Sequence, residues 1–219
     1  SSSGDVFKCD AELPGSFTEA VGKSALAWVD YGTEDFAKEA PVAASRLGFS
    51  DMLISSLIVD SPLNYQDIGT EMGLKLRSVQ VRHFDVQPHP LLLLLKKNFI
   101  LTIHPLAVDR RFGRVRRYAD TFLKKIPPDA LAEDKITILL MRLIDENNDS
   151  NFEHLRQIEE LGDEINRKLI DTQSPRDKLG LDIYQMKHAL ISYLNALWET
   201  VDVLHDLRYG DAELMTDDP

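Results

Sequence analysis

The residues best placed to do chemistry are carboxylates. Asp145, Asp149, Glu153, Glu160, Asp163 and Glu164 recur at helical spacing. On one continuous helix they fall within an arc of about 100°. Crowded carboxylates repel one another, and a hard divalent cation with oxygen ligands relieves that repulsion. Mg²⁺ in such a place keeps several of its waters. Asp145, Asp149 and Glu153 are the candidate metal ligands. On spacing alone, an ordinary hydrated helix face explains the same column.

Other motifs carry less. Gly22-Lys23-Ser24 resembles the end of a phosphate-binding loop, but the glycine required five residues earlier is Phe17. The basic run Arg110 to Arg117 contains one aromatic, Phe112, and could signal nucleic acid. The preferred reading is the solvated face of an amphipathic helix whose apolar side carries Phe112, Val115, Ala119 and Phe122. No nucleic-acid partner is expected. The histidines at 83, 89, 104, 154, 188 and 205 form no zinc-ligand pair, and Asp202, His205 and Asp206 read as a solvated helix surface. Cys9 has no local motif and the serines lack a nucleophile elbow. No catalytic residue and no enzyme activity are expected.

Composition bounds the class. The 219 residues are 43% hydrophobic, enough for a sizeable core and one or two domains. A single cysteine excludes an intrachain disulfide. The longest purely apolar run is Leu91 to Leu95, whereas a membrane-spanning helix needs about 20 such residues. The first residues, Ser1-Ser2-Ser3-Gly4, have no basic or apolar region and do not read as a signal peptide. Residues 1–128 carry 16 Lys/Arg against 15 Asp/Glu, and residues 129–219 carry 9 against 21, so the net −11 belongs to the second part. Such a surface repels nucleic acid and anionic lipid and attracts cations.

Pattern also gives the elements that must position these groups. Residues 1–128 read as an α/β sheet domain. Val6 to Cys9 is a possible strand, and Ser24 to Asp30 a better one. Thr33 is expected to cap the next helix, with Glu34 and Asp35 in its first turn. Pro41 is expected to kink or restart that helix, Gly48 to end it, and Asp51 to Ile58 to form another. Val79 to Val86 reads as a strand. Leu91 to Leu95 and Phe99 to Ile103, around Lys96-Lys97-Asn98, read as a hairpin covered on both faces. Helices must cover it, so the fold class is α/β: a mixed sheet sandwiched by helices.

Pro127-Pro128 marks a change, and Asp129 can cap the next helix. Residues 129–219 read as an acidic long-helix region, a long antiparallel helical hairpin. Ile136, Leu139, Leu140, Leu143 and Ile144, then Phe152, Leu155, Ile158, Leu161, Ile165 and Leu169, keep one helical period. After a break at Asp171 to Pro175, Ile183, Met186, Leu190, Tyr193, Leu197, Val201 and Leu204 form a second stripe. A stripe that long wants a partner helix, from the same chain or another subunit.

The string ITILLMRLIDENNDSNFEHLRQIEELGDEINRKLI, from Ile136 to Ile170, resembles the CorA-type magnesium/cobalt transporter family. Leu143-Ile144-Asp145, then Phe152, Leu155 and Ile158, match that family's spacing. The run LLLLLKKNFILTIH is similar to its sheet hairpin. Trp28-Val29-Asp30 before a helix, Leu47-Gly48-Phe49 after it, and Gln185-Met186-Lys187 with Trp198 further on also fit. Residues 50–90 match poorly.

The resemblance implies the cytoplasmic domain of a cell-membrane channel, with the membrane reached only through segments absent from this chain. It implies a homopentamer that senses Mg²⁺ or Co²⁺ through carboxylates bridging subunits, bound metal favouring the closed state. Asp145 matches a carboxylate of the family's regulatory metal region, while an acidic pair of the pattern appears here as Ser55 and Ser56. The zinc-transporting branch of the superfamily stays open. The alternative is a soluble α/β interaction module that docks a protein partner through its helical hairpin.

Overall fold

The computed structural model describes residues 6–10, 14–58, 63–127, 130–171, 175–209 and 214. Among them are five strands: β1 (Ala27–Thr33), β2 (Tyr65–Asp67), β3 (Met72–Arg82), β4 (Asp85–Lys96) and β5 (Phe99–Pro105). They form one sheet in the order β1-β5-β4-β3-β2. β1 runs parallel to β5 and the other pairings are antiparallel. The helices are α1 (Thr18–Lys23), α2 (Phe36–Arg46), α3 (Asp51–Leu57), α4 (Asp109–Leu123), α5 (Ala132–Asn148), α6 (Asn151–Ile170) and α7 (Arg176–Tyr209).

The alternation of β4 explains the layers. Leu92 and Leu94 face one side, with Val29, Phe99, Leu101 and Ile103, against the small Ala40, Ala43 and Ala44 of α2 and Leu53, Ile54 and Leu57 of α3. Leu91, Leu93 and Leu95 face the other, with Met72, Leu74 and Leu76, against Phe112 and Val115 of α4 and Ile136, Leu139, Leu140, Leu143 and Ile144 of α5. Successive side chains of a strand point to opposite faces, so a run of five leucines needs cover on both. The expected β4–β5 hairpin is present, with Lys96 paired to Phe99.

Several local expectations shift. Asp35, not Thr33, caps α2, its side chain accepting from the Lys38 N–H at 3.3 Å. Thr33 instead ends β1 and donates to the His104 carbonyl. α2 runs through Pro41 without restarting, the helix closing around a ring that is only partly buried. Gly48 sits at φ +85, as a helix-ending glycine does. Val6 to Cys9 is not a strand. The strand expected over Val79 to Val86 is two strands, because the chain turns at His83-Phe84 with His83 at φ +57. The expected cap Asp129 lies outside the described residues, and Leu131 occupies the cap position of α5.

The hairpin of long helices is α6 with α7. α5 instead belongs to the layer on the sheet, where its apolar stripe is buried. Val79, Ile158, Tyr193 and Ala196 join the hairpin to β3. The buried face of α7 is offset from the expected stripe: Leu179, Ala189, Tyr193, Ala196 and Val203 are buried, whereas Ile183, Leu190 and Val201 are exposed. No described helix is long and apolar enough to cross a membrane.

Candidate functional site

The carboxylate column is interrupted at its centre. α5 ends at Asn148 and α6 begins at Asn151, so Asp145 and Glu153 lie on different helices. Asn147-Asn148-Asp149-Ser150 is a run of residues whose short polar side chains compete with the helical backbone for its hydrogen bonds, and the chain turns there. Asp149 sits in the turn. Its carboxylate accepts from Arg114 Nη2 at 2.7 Å. Glu153 opens α6 and accepts from Arg156 at 2.9 Å through both oxygens. The Arg156 hydrogen bonds, with one from Gln157, hold its carboxyl below the ordinary value. Asp145 is exposed at the rim of a shallow apolar groove that includes Ile126, Ile138 and Met141, and among the described residues it carries no ion pair.

α4 supplies the cations. Its apolar side is buried as expected at Phe112, Val115 and Ala119, but its arginines are not merely solvated. Arg114 bridges Glu146 at 2.8 Å and Asp149 at 2.7 Å. Glu146, whose side chain is 5% exposed, also faces Arg142 at 3.6 Å. Arg111 donates to the carbonyls of Asn147 at 2.8 Å and Val79 at 2.5 Å. Asp145, Asp149 and Glu153 therefore do not meet around one point within a single chain: among the described residues they form no group of three close ligand atoms.

The one such group among the described residues is Asp30, His104 and Asp109. It gathers residues of β1, β5 and α4. The parallel register sets Asp30 beside Thr102, and both ring nitrogens of His104 face acceptors: Asp30 Oδ1 at 3.1 Å and the Pro105 carbonyl at 3.1 Å. Arg116 already bridges the two acids of this group, reaching Asp30 at 2.6 Å and Asp109 at 2.7 Å. A metal ion there would have to displace the guanidinium from both carboxylates. Asp202, His205 and Asp206 of α7 are exposed, as expected of a solvated face.

A cleft of about 700 Å³ opens between the β3–β4 tip and the α6–α7 hairpin. Arg82, Lys168 and Lys178 face Asp85, Glu164 and Asp182 across it, so its charge is balanced.

The CorA-like Mg2+ transporter protein family model matches residues 23–219. The fold is similar to the soluble domain of CorA from Methanocaldococcus jannaschii, with a TM-score of 0.66 at 20% identity over 90% of this chain and 76% of that one. It is also similar to the ZntB cytoplasmic domain from Vibrio parahaemolyticus RIMD 2210633, with a TM-score of 0.60 at 16% identity over 88% of this chain and 72% of that one. No curated protein matches.

Proposed function

Because the chain belongs to the CorA-like Mg2+ transporter protein family, we propose that it is the cytoplasmic regulatory domain of a divalent-cation channel, and that Mg²⁺ or Co²⁺ binding favours the closed state. The observation that carries this reading is a family match running from residue 23 to residue 219. The acidity of residues 129–219 supports it, since a surface of that charge concentrates cations. Members of this family move ions rather than transform substrates.

Asp145 is the candidate ligand with a free carboxylate, and the sequence resemblance sets it against a carboxylate of the family's regulatory metal region. Asp149 and Glu153 are engaged by Arg114 and Arg156 and serve only if those pairs open. One chain does not close a site, so the remaining ligands come from water and from a neighbouring copy in a homopentamer. A cation shared between copies is bound only in the arrangement that brings them together, and that difference in affinity is what can shift a gate. Without it, the acidic surfaces repel.

The test is the melting temperature of this chain in millimolar MgCl2 or CoCl2 against NaCl at matched ionic strength. A ligand that binds the folded assembly raises it. Wild type is expected to gain several degrees and to sediment as a larger species, and Asp145→Asn to lose most of both effects. No gain with either cation, and no change in sedimentation, sinks the sensor reading.

The second reading, a module docking a different protein, draws on an exposed apolar stripe of α7: Ile191, Leu194, Trp198 and Val201. A chain that stays monomeric with and without cation favours it.

A further inference from the structure

Two exposed surfaces of this chain complement each other. The first follows α4. Arg110 and Arg117 lie two turns apart on its outer face, and Lys124 and Lys125 come directly after its last turn; all four are exposed. Arg114 and Arg116 of the same helix are paired with acids, but none of these four has a carboxylate oxygen within 4.0 Å among the described residues. The stripe leads to the apolar groove of about 410 Å³ between the end of α4 and α5, where Lys125 stands beside Ile126, Ile138 and Met141. Asp145 is the one acid on the rim of that groove, and Arg142 stands there with it.

The second surface is the outer face of α6. Phe152, Glu159, Asp163 and Ile170 fall within an arc of about 40° at helical spacing. Phe152 is 85% exposed, so the groove of its own chain does not receive it. Glu159 and Asp163 are exposed and, among the described residues, have no cationic nitrogen within 4.0 Å. The opposite face of α6 does the packing, through Ile158 and Ile165. One surface is thus an apolar groove followed by unmatched cations, and the other an apolar anchor followed by unmatched acids. Their lengths agree. Glu159 lies about 10 Å along α6 from Phe152, and Arg117 lies about 10 Å along α4 from Lys124.

We propose that α6 of a second copy of this chain docks on the α4–α5 surface, with Phe152 in the groove and Glu159 and Asp163 against the cations of α4. The buried aromatic supplies affinity, and the charges supply register and orientation. Each copy carries −11 overall, but salt screens that repulsion beyond about 8 Å at physiological ionic strength, so the facing groups decide. Every copy owns both surfaces, and a contact between unlike patches either closes a ring or occurs twice across a two-fold axis. The contact rests on the self-association of the reading above and is independent of its cation, because no metal is needed to join these surfaces.

Sedimentation equilibrium in EDTA, at about 0.15 M NaCl, tests it. Wild type is expected to self-associate. Lys124→Glu with Lys125→Glu, and separately Glu159→Lys with Asp163→Lys, are each expected to weaken that association about tenfold or more, because like charges then face each other. An equimolar mixture of the two variants is expected to recover it, since the reversed surfaces then meet each other and so do the native ones. Phe152→Ala is expected to weaken it without recovery in either mixture. All five positions are exposed, so urea midpoints are expected to stay at the wild-type value; if a charge variant fails to fold, Phe152→Ala decides. A wild-type chain that remains monomeric at high micromolar concentration overturns the proposal. So does association that neither reversal weakens, or that mixing does not restore. Mg²⁺-driven association that survives both reversals sinks this contact and spares the sensor reading. Recovery on mixing in EDTA, with no response to Mg²⁺ or Co²⁺, supports the contact and sinks the sensor reading alone.

Discussion

At the scale of residues, burial and charge act on His104 in opposite directions. His104 is fully buried, yet it sits in a charged quartet with Asp30, Asp109 and Arg116. Burial opposes its charge, but the hydrogen bond and charge of Asp30, the Pro105 carbonyl and Asp109 outweigh it, and its pKa is raised. A raised folded-state pKa contributes stability that is complete below the unfolded value of about 6.5 and is lost as pH rises through the folded value. Urea denaturation across pH 5.5 to 8.5 is therefore expected to show a falling contribution on the alkaline side, which His104→Gln flattens; parallel curves for the two proteins contradict the assignment. The quartet is not legible in the sequence. Asp30, His104, Asp109 and Arg116 belong to two strands and a helix, and only the β1–β5 register sets them together. The roles of Arg111, Arg114 and Arg116 are hidden in the same way, because helical spacing shows which face is polar but not which acids wait across it.

At the scale of elements, the legible parts are those with local chemistry. The β4–β5 hairpin announces itself as two apolar runs around a polar turn, and α3 begins at Ser50, whose hydroxyl accepts from the Leu53 N–H. The β3–β4 turn does not, because His83-Phe84 replaces the glycine or asparagine that a positive φ favours. The α5–α6 break has a signal in Asn147 to Ser150 that the unbroken apolar period masks. The packing of α3 rests on Gly73. A Cβ there would lie 2.2 Å from Leu57 Cδ1 and 3.0 Å from Leu94 Cδ2. Gly73→Ala is expected to push α3 off the sheet and cost about 1–3 kcal/mol in urea denaturation, whereas Gly22→Ala, with open space around it, is a control.

At the scale of the whole molecule, the sheet buries both faces but α7 does not bury both of its own. Small residues, Ala189 and Ala196, bring its inner face close to the core, while Trp198 is 57% exposed on its outer face. Replacing Ile191 and Trp198 together by serine is expected to leave monomer stability within about 0.5 kcal/mol. If that stripe is the contact between copies, the same change weakens self-association at least tenfold in sedimentation equilibrium. The family placement is legible from order and spacing outside residues 50–90, and the family model matches residues 23–219. The site is less so: helical spacing sets Asp145, Asp149 and Glu153 on one rod, and the turn divides them.

The topology also sets a timetable. β3, β4 and β5 join through short hairpins and can pair as they leave the ribosome, whereas Ala27 of β1 must wait for Phe99. Until that long loop closes, β5 presents a bare row of backbone donors and acceptors to any passing strand. The first of the five described strands to be made is the last to dock, and its arrival covers β5 and leaves β1 as the edge.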